Sequence, residues 1–278
     1  MINKNPFKKT NKPLIYFLLI LGAIVMIIPF YWMVTTGLKT PQEAIKFPPS
    51  IWPKSFVWSN FVKAWRQANF SMYIINTLFI AFTTLIGVLF SSILGAYAFA
   101  KLKFKGKDIL FVSLLGIMMI PMPVYIIPGY LVLMKLGWID TYMALIVPWT
   151  VSVFNIFLLR QHFKSIPNEL FEAAVLDGCN HWQFLWKILV PLSKPILVTI
   201  SIFSLLGSWN SFIWPLVVTN SDKIRPIQVG LAYFMQEQST NYVLLSAAST
   251  ISVIPLIALF FIAQKQIISS YARSGIKG

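Results

Sequence analysis

Six long apolar stretches dominate this sequence, and none of them has a charged residue in its middle. An α-helix needs about 20 such residues to cross the roughly 30 Å hydrocarbon core of a bilayer. The composition agrees, since 57% of the residues are hydrophobic and 11% are charged, which excludes a soluble globular protein. We therefore predict an all-α integral membrane protein with six transmembrane helices, at residues 14–38, 72–100, 109–134, 142–159, 192–218 and 243–263.

The positive charges lie between these stretches and indicate the orientation of the chain. A net charge of +15 could by itself indicate a nucleic-acid partner, but the lysines and arginines concentrate in four segments flanking the apolar stretches. By the positive-inside rule those segments are cytoplasmic. We predict a single transmembrane domain over residues 1–278, with cytoplasmic tails at 1–13 and 264–278, a cytoplasmic loop at 160–191, and external loops at 39–71 and 219–242.

The cytoplasmic loop is the one long polar, acidic segment between two apolar stretches, and a short helix is predicted in it. Glu169 and Glu172 follow Pro167, a residue type suited to the first turn of a helix, and carboxylates complement the positive end of a helix. Asp177 and Gly178 should end this helix, because glycine readily adopts the left-handed conformation of a helix C-terminus.

A second short helix should follow after a sharp bend. Asn180 and Gln183 have the spacing of a capping box, the pattern that opens many helices. Cys179 lies in this bend and is the single cysteine, so no intramolecular disulfide can form. We expect this bent polar segment, residues 167–195, to be the working surface of the chain.

Prolines and polar residues distinguish the middle stretches. Pro121, Pro123 and Pro128 should kink or break the third helix, which then faces the protein interior. Polar residues of the fourth and fifth stretches could form interhelical hydrogen bonds, or they could contact a solute such as a sugar. Small residues along the second stretch could likewise serve helix packing or line a pathway. The pathway candidates are Ser152, Asn155, Ser204, Ser208, Trp209, Asn210 and Ser211.

The energy source is indicated by what the apolar stretches lack. Carriers coupled to protons or ions usually place ionisable groups at membrane depth, and these stretches hold none in their middles. His162 and His181 lie near cytoplasmic ends without metal-ligand partners, so we interpret them as surface or capping residues. No phosphate-binding Gly-x-x-x-x-Gly-Lys-Ser/Thr segment occurs. We predict no catalytic residue, cofactor site or metal site in this chain, and any ATP must bind another subunit.

The cytoplasmic loop resembles the EAA loop of binding-protein-dependent ABC importer permeases. The residues that match that motif in type and spacing are Glu172, Ala173, Ala174, Gly178, Ile188 and Pro191. Val190 departs from the pattern, since the family usually has leucine there. Further similarity to carbohydrate-type permeases of the maltose-permease G-like branch covers nearly the whole chain, with matching segments at 97–100, 209–210, 214–215 and 275–278.

This resemblance implies a type I ABC importer permease fold with a coupling helix between the fourth and fifth spans. The implied function is one half of an alternating-access pathway for a sugar or oligosaccharide, with glycerol phosphate or a stand-alone secondary carrier as alternatives. The implied partners are a second permease chain in a heterodimer, two ATPase copies that hold ATP and Mg²⁺, and an extracellular solute-binding protein. The implied ATPase-coupling residues are Glu169, Glu172, Ala173, Ala174, Asp177 and Gly178. Both alanines should let the ATPase surface come close.

Overall fold

The computed structural model describes residues 12–67, 69–237 and 241–274, and these belong to two compact units. The first unit comprises residues 12–67, 234–237 and 241–254, and the second comprises residues 69–233 and 255–274. The described residues form helices, turns and loops without a β-strand. The predicted all-α fold is therefore confirmed.

Four helices are long and apolar enough to cross a membrane, and the number within the described residues rises to six if each of two bent helix pairs counts as one span. The four coincide with predicted spans one, two, four and six: Pro13–Gly37, Phe70–Lys101, Tyr142–Ser165 and Tyr242–Ile262. The bent pairs are Lys107–Ile117 with Met122–Lys135, at 98°, and His181–Leu192 with Lys194–Trp209, at 78°.

The first unit contains α1 (Lys12–Gly37), α2 (Pro41–Ala44), α3 (Ser59–Gln67) and the first turns of α15 (Tyr242–Ser274). A buried lysine organises the segment between α1 and α3. Lys39 donates a hydrogen bond from Nζ to the Ser50 carbonyl, and its charge lies 4.6 Å from the centre of the Trp32 ring. Asn60 Nδ2 donates to the carbonyls of Gly37 and Lys39, at 3.0 and 2.9 Å. This predicted external loop is thus folded.

The second unit is built around α4 (Phe70–Lys101), which packs against α8 (Val153–Ser165) and α12 (Lys194–Trp209). A glycine allows close contact between α4 and the residues just before α8: a Cβ atom on Gly87 would lie 2.6 Å from the Thr150 side chain. Ser91 Oγ donates to the Thr150 carbonyl at 2.7 Å. The other helices of this unit are α5 (Lys107–Ile117), α6 (Met122–Lys135), α7 (Tyr142–Ile146), α9 (Glu169–Leu176), α10 (His181–Gln183), α11 (Val190–Leu192), α13 (Ile213–Val218), residues 227–233 of α14 (Ile227–Glu237) and residues 255–274 of α15. A 3₁₀ turn (Val147–Trp149) and a π-helical turn (Phe184–Leu189) complete it.

The third and fourth predicted spans break at prolines. The third breaks just before α6, where Pro121 precedes Met122, as predicted. The fourth breaks after α7, where Pro148 cannot donate to the carbonyl of Ala144. That freed carbonyl accepts a hydrogen bond from Trp214 Nε1 at 2.9 Å, which satisfies a backbone group that would otherwise be costly at membrane depth.

The fifth span differs from the sequence prediction of one continuous helix over residues 192–218. Helix α12 ends at Trp209 and α13 begins at Ile213. Pro215 explains the break, because it has no N–H for the carbonyl four residues earlier and its ring crowds that position. The Asn210 side chain also bonds the Leu206 carbonyl, at 2.9 Å. Ser211 therefore lies beyond the helix rather than on a continuous helical stripe.

The segment after α13 is held against α4 by an asparagine. Asn76 Nδ2 donates to the carbonyls of Lys223 and Arg225, at 2.9 and 3.1 Å, and Asn76 Oδ1 accepts from the Tyr142 hydroxyl at 2.7 Å. Arg225 also pairs with Asp222. Asp222 and Arg225 of this predicted external loop are thus paired with each other within the chain.

Candidate functional site

The bend after α9 is formed by a glycine, as the sequence predicts. Gly178 has φ +80°, in the left-handed region that favours glycine. The Cys179 N–H donates to the Ala174 carbonyl at 2.8 Å, and the Gly178 N–H donates to the Val175 carbonyl at 3.0 Å. These two bonds are those of a Schellman motif, which satisfies the last carbonyls of a helix.

The second helix of the loop starts at the predicted capping box. Asn180 Oδ1 accepts from the Gln183 N–H at 2.8 Å, and Gln183 Oε1 accepts from the Asn180 N–H at 3.0 Å. The C-terminus of α9 and the N-terminus of α10 therefore both have their backbone groups satisfied, which fixes the bend between the two helices.

Most of the predicted coupling residues lie on the exposed side of α9, but one of the two alanines does not. Ala174 is only 4% exposed and packs in the core with Phe184 and Leu185. The expectation that both alanines offer close approach to a partner is corrected for Ala174, because the helical period turns it inward. The exposed coupling residues are Glu169, Glu172, Ala173, Asp177 and Gly178.

The sequence interpretation missed an apolar contribution to this surface. Leu176, the last residue of α9, is 88% exposed, and Leu170 and Val175 are also exposed. A leucine in water beside carboxylates is typical of a surface that another protein covers. The available signal was a large apolar residue directly before the Asp-Gly helix end.

A cavity of about 710 Å³ lies in the second unit, between α4, the α7–α8 break and the α12–α13 break. Six of the seven predicted pathway candidates line this cavity: Ser152, Asn155, Ser204, Ser208, Asn210 and Ser211. Ser152 lies at the break in span four, and Asn210 and Ser211 lie at the break in span five, so both breaks contribute side chains to the cavity wall.

The cavity wall offers hydroxyl and amide groups but no charged side chain among its described lining residues. Asn155 Nδ2 donates to Ser204 Oγ at 3.4 Å, and Ser152 Oγ accepts from the Asn155 N–H at 3.3 Å. Asn155 therefore makes an interhelical hydrogen bond and also lines the cavity. No cluster of three His, Cys, Asp or Glu side chains that could hold a metal occurs in the described ranges.

Aromatic rings form the apolar part of the wall. Trp149 and Trp214 both line the cavity and meet edge to face, with ring centres 5.9 Å apart. Trp209, the seventh candidate, is not a lining residue: it is 5% exposed, and its Nε1 has no hydrogen-bond partner among the residues that the structure describes. Hydroxyl groups together with aromatic faces suit a solute that has both polar and apolar sides.

Two threonines of α4 also line the cavity and were not among the candidates. Thr77 Oγ1 donates to the Tyr73 carbonyl and accepts from the Ile227 N–H, so its hydroxyl already has two partners within the chain. Thr84 Oγ1 is buried and makes no hydrogen bond within the described part of the chain. The sequence feature that could have identified these two threonines is the stripe of small residues along α4, which both packs against other helices and lines the cavity.

Comparison with known proteins finds relatives that match nearly the whole chain and are named as permeases. The probable ABC transporter permease protein YurM of Bacillus subtilis (strain 168) is 35% identical over 266 residues, covering 95% of this chain and 88% of that protein. The arabinooligosaccharides transport system permease protein AraQ of Halalkalibacterium halodurans is 30% identical and covers 98% of this chain and 100% of that protein.

A solved structure shares the architecture as well. It is a bacterial ABC transporter involved in the import of the acidic polysaccharide alginate, with a TM-score of 0.81 and 25% identity, over 94% of this chain and 99% of that chain. The sequence profile of the binding-protein-dependent transport system inner membrane components matches residues 87–273. From these matches, and from the loop and helices described above, we conclude that the chain belongs to the family of binding-protein-dependent ABC transport system inner membrane permeases.

Proposed function

We propose that this chain is the transmembrane permease subunit of an ATP-driven importer and forms half of a translocation pathway for a sugar or oligosaccharide. The whole chain, residues 1–278, acts as one permease domain with both termini and the 160–191 loop in the cytoplasm. Residues 39–71 and 219–242 face the outside. The observation that supports this proposal most is the exposed acidic and apolar surface of α9, which is followed by the Gly178 bend and the Asn180 cap.

The ATPase binds this surface through Glu169, Glu172, Ala173, Asp177 and Gly178, and Leu176 adds the apolar contact. Ala174 supports the helix from within, since its side chain packs in the core. The carboxylates suit a basic groove on the partner. Two copies of that ATPase hold ATP and Mg²⁺, a second permease chain completes a heterodimer, and an extracellular solute-binding protein delivers the solute. This chain itself catalyses no reaction.

The solute passes through the cavity between α4, α8 and α12. Its wall combines serine, threonine and asparagine groups with the Trp149 and Trp214 rings, a combination that matches a sugar with hydroxyls on its edges and apolar ring faces. Relatives named as permeases for arabinooligosaccharides and diacetylchitobiose support the same class.

Glycerol phosphate is the alternative solute, because one relative, 27% identical, is named an sn-glycerol-3-phosphate permease. The cavity argues against it. A phosphate usually requires a lysine or arginine, and the described lining residues include neither. A stand-alone carrier is less favoured, because it would have no use for the exposed α9 surface.

Reconstitution of the complete transporter tests this proposal. Proteoliposomes containing the chain, its permease partner and the ATPase receive the solute-binding protein with arabinotriose, diacetylchitobiose or glycerol 3-phosphate. We expect ATP-dependent uptake of a neutral saccharide and none with an ATPase variant that cannot hydrolyse ATP. Uptake of glycerol 3-phosphate and of neither saccharide would contradict the proposed sugar substrate. Uptake by this chain without any ATPase would overturn the importer function.

A further inference from the structure

We propose that Tyr97 and Lys101 of α4 fasten the two ends of the coupling helix α9, so that α4 transmits the movement of α9 to the cavity. This inference rests on the proposed function, since it assumes that the ATPase moves α9. It assigns a positioning role to Tyr97, Lys101 and His181, of which His181 was interpreted from the sequence as a surface or capping residue.

Lys101, the last residue of α4, holds the segment that leads into α9. Its Nζ donates to the Ile166 carbonyl at 2.8 Å and to Asn168 Oδ1 at 2.9 Å. Asn168 directly precedes the first residue of α9. The ammonium group thus binds both backbone and side chain at the start of the coupling helix.

Tyr97 holds the segment that leaves α9. Its hydroxyl lies 2.6 Å from His181 Nδ1, and His181 is the first residue of α10. The imidazole ring also stacks on Phe171 of α9, with ring centres 5.0 Å apart and an interplanar angle of 26°. Phe171 in turn meets Phe184 edge to face, at 5.0 Å. His181 is therefore held by α4 on one side and by α9 on the other.

The positions of the two contacts make the attachment rigid. Tyr97 and Lys101 are four residues apart on one helix and therefore lie on the same face. One contacts the chain before α9 and the other contacts the chain after it. A helix held at both ends by one face of a second helix cannot shift or rotate without moving that second helix, unlike a helix on a flexible tether.

Helix α4 is suited to carry such a movement over a long distance. Its 32 residues contain no proline, and at ~1.5 Å per residue they span about 48 Å. The turns of α4 that precede Tyr97 contribute Thr77, Thr84 and Val88 to the cavity wall. One continuous element thus connects the ATPase-binding loop with the solute cavity.

The test uses a cysteine reporter in the cavity, so that it needs no known sugar. Gly207 lines the cavity, and a Cβ atom there would meet nothing within 4 Å. The Gly207→Cys substitution in a Cys179→Ser background reports cavity accessibility through its rate of reaction with a charged methanethiosulfonate. The reconstituted complex is compared without nucleotide and with ATP plus vanadate. ATP hydrolysis is measured in parallel.

We expect ATP plus vanadate to change the reaction rate in the reporter background, and the Tyr97→Phe, Lys101→Met double variant to lose this response while ATP is still hydrolysed. The change in reaction rate that ATP plus vanadate causes should be about tenfold smaller in the double variant, within the range usual for coupling between two sites. The matched controls are Tyr125→Phe and Lys105→Met, which remove the same groups from exposed positions and should keep the full response.

Two substitutions at His181 distinguish a loss of coupling from a loss of folding. His181→Gln keeps a side chain that can hydrogen-bond with the Tyr97 hydroxyl and should retain coupling, whereas His181→Leu should lose it, with equal amounts of assembled complex in both. A full response in the double variant or in His181→Leu would overturn the inference alone. No response to ATP in the reporter background itself would overturn the proposed function and the inference with it.

Discussion

Two glycines have the same local backbone structure, but we expect substitutions at them to have different effects. Gly178 follows α9 and Gly137 follows α6, with φ angles of +80° and +70°. Each lies in a Schellman motif: the N–H groups of Gly137 and Trp138 donate to the carbonyls of Met134 and Leu133. A Cβ atom added at either glycine would meet nothing within 4 Å. They differ in what lies around them, since only Gly178 lies in the proposed ATPase contact.

We predict that Gly178→Asp abolishes uptake while the chain still inserts and assembles. Left-handed backbone costs a non-glycine residue about 1–2 kcal/mol, which the fold should tolerate, but the new side chain projects into the ATPase contact. Gly137→Asp carries the same strain and should transport normally. Membrane-fraction blots and uptake assays check this pair, and equal loss of uptake in both variants would count against a docking role for Gly178.

Asp140 is the charged residue that holds the turn between α6 and α7 to the segment after α13. Its Oδ1 accepts from the N–H groups of Asn220 and Ser221, at 2.8 and 2.9 Å. Burial alone would raise the pKa of Asp140, but these bonds and the charge of Arg225 outweigh it, so the pKa lies below its usual value. The ionised carboxylate is therefore favoured in the folded protein.

A pH dependence follows from the lowered pKa of Asp140. The stabilisation is complete above the unfolded pKa of about 3.9 and is lost as the pH falls through the lower folded value. We predict that the unfolding temperature falls less between pH 5 and pH 3 in Asp140→Asn than in the unchanged protein. Thermal unfolding in detergent at several pH values checks this, and identical pH curves would contradict it.

At this scale the sequence predicted local bonding well and side-chain orientation less well. The Gly178 bend and the Asn180–Gln183 capping box are confirmed because both depend on residues within a few positions of each other. The burial of Ala174 depends on the packing of α9 onto Phe184, a contact that no local pattern contains. The exposure of Leu176 follows from the same packing.

At the scale of elements, α4 comes very close to the residues just before α8. The missing side chain of Gly87 allows it, since a Cβ atom would lie 2.6 and 2.7 Å from Thr150 side-chain atoms. Gly116 in α5 has open space at the same position. The two glycines therefore separate the effect of packing from that of helix propensity.

We predict that Gly87→Ala lowers stability and Gly116→Ala does not. Overpacking costs about 1–3 kcal/mol, more than the gain of about 1 kcal/mol from replacing glycine in a helix. Gly116→Ala receives only the gain. Thermal unfolding of the two purified variants gives the comparison, and a Gly87→Ala protein as stable as Gly116→Ala would show that α4 and the Thr150 segment can separate at no cost.

The helix breaks were predicted only in part. The cluster of three prolines in the third span made its break evident. The fifth span contains a single interior proline, Pro215, within a run whose composition still favours one helix, and the second break residue, Asn210, acts through its bond to the Leu206 carbonyl. The cavity could not be predicted for the same reason, because it depends on where these breaks bring separate spans together.

At the scale of the whole molecule, the orientation in the membrane decides whether α9 can reach an ATPase. The single cysteine, Cys179, is partly exposed in the α9–α10 bend. Phe47 lies in the predicted external segment and is 91% exposed. These two positions can therefore report the two sides of the membrane.

We predict that a membrane-impermeant maleimide labels Cys179 in inside-out vesicles and not in right-side-out vesicles. A Phe47→Cys, Cys179→Ser variant should show the reverse. Addition of the ATPase should slow the labelling of Cys179, because the bend lies beside the proposed contact. Labelling of Cys179 from the outer face would reverse the assigned orientation and separate α9 from any cytoplasmic ATPase.

The uncharged lining of the cavity has an electrical consequence. Moving one elementary charge across a membrane exchanges about 2.3 kcal/mol per 100 mV with the transmembrane voltage. A neutral saccharide that passes through a cavity lined by uncharged groups carries no charge across the membrane. Voltage would then neither assist nor oppose its passage, and the same accumulation should be reached in polarised and depolarised vesicles at a given ATP supply.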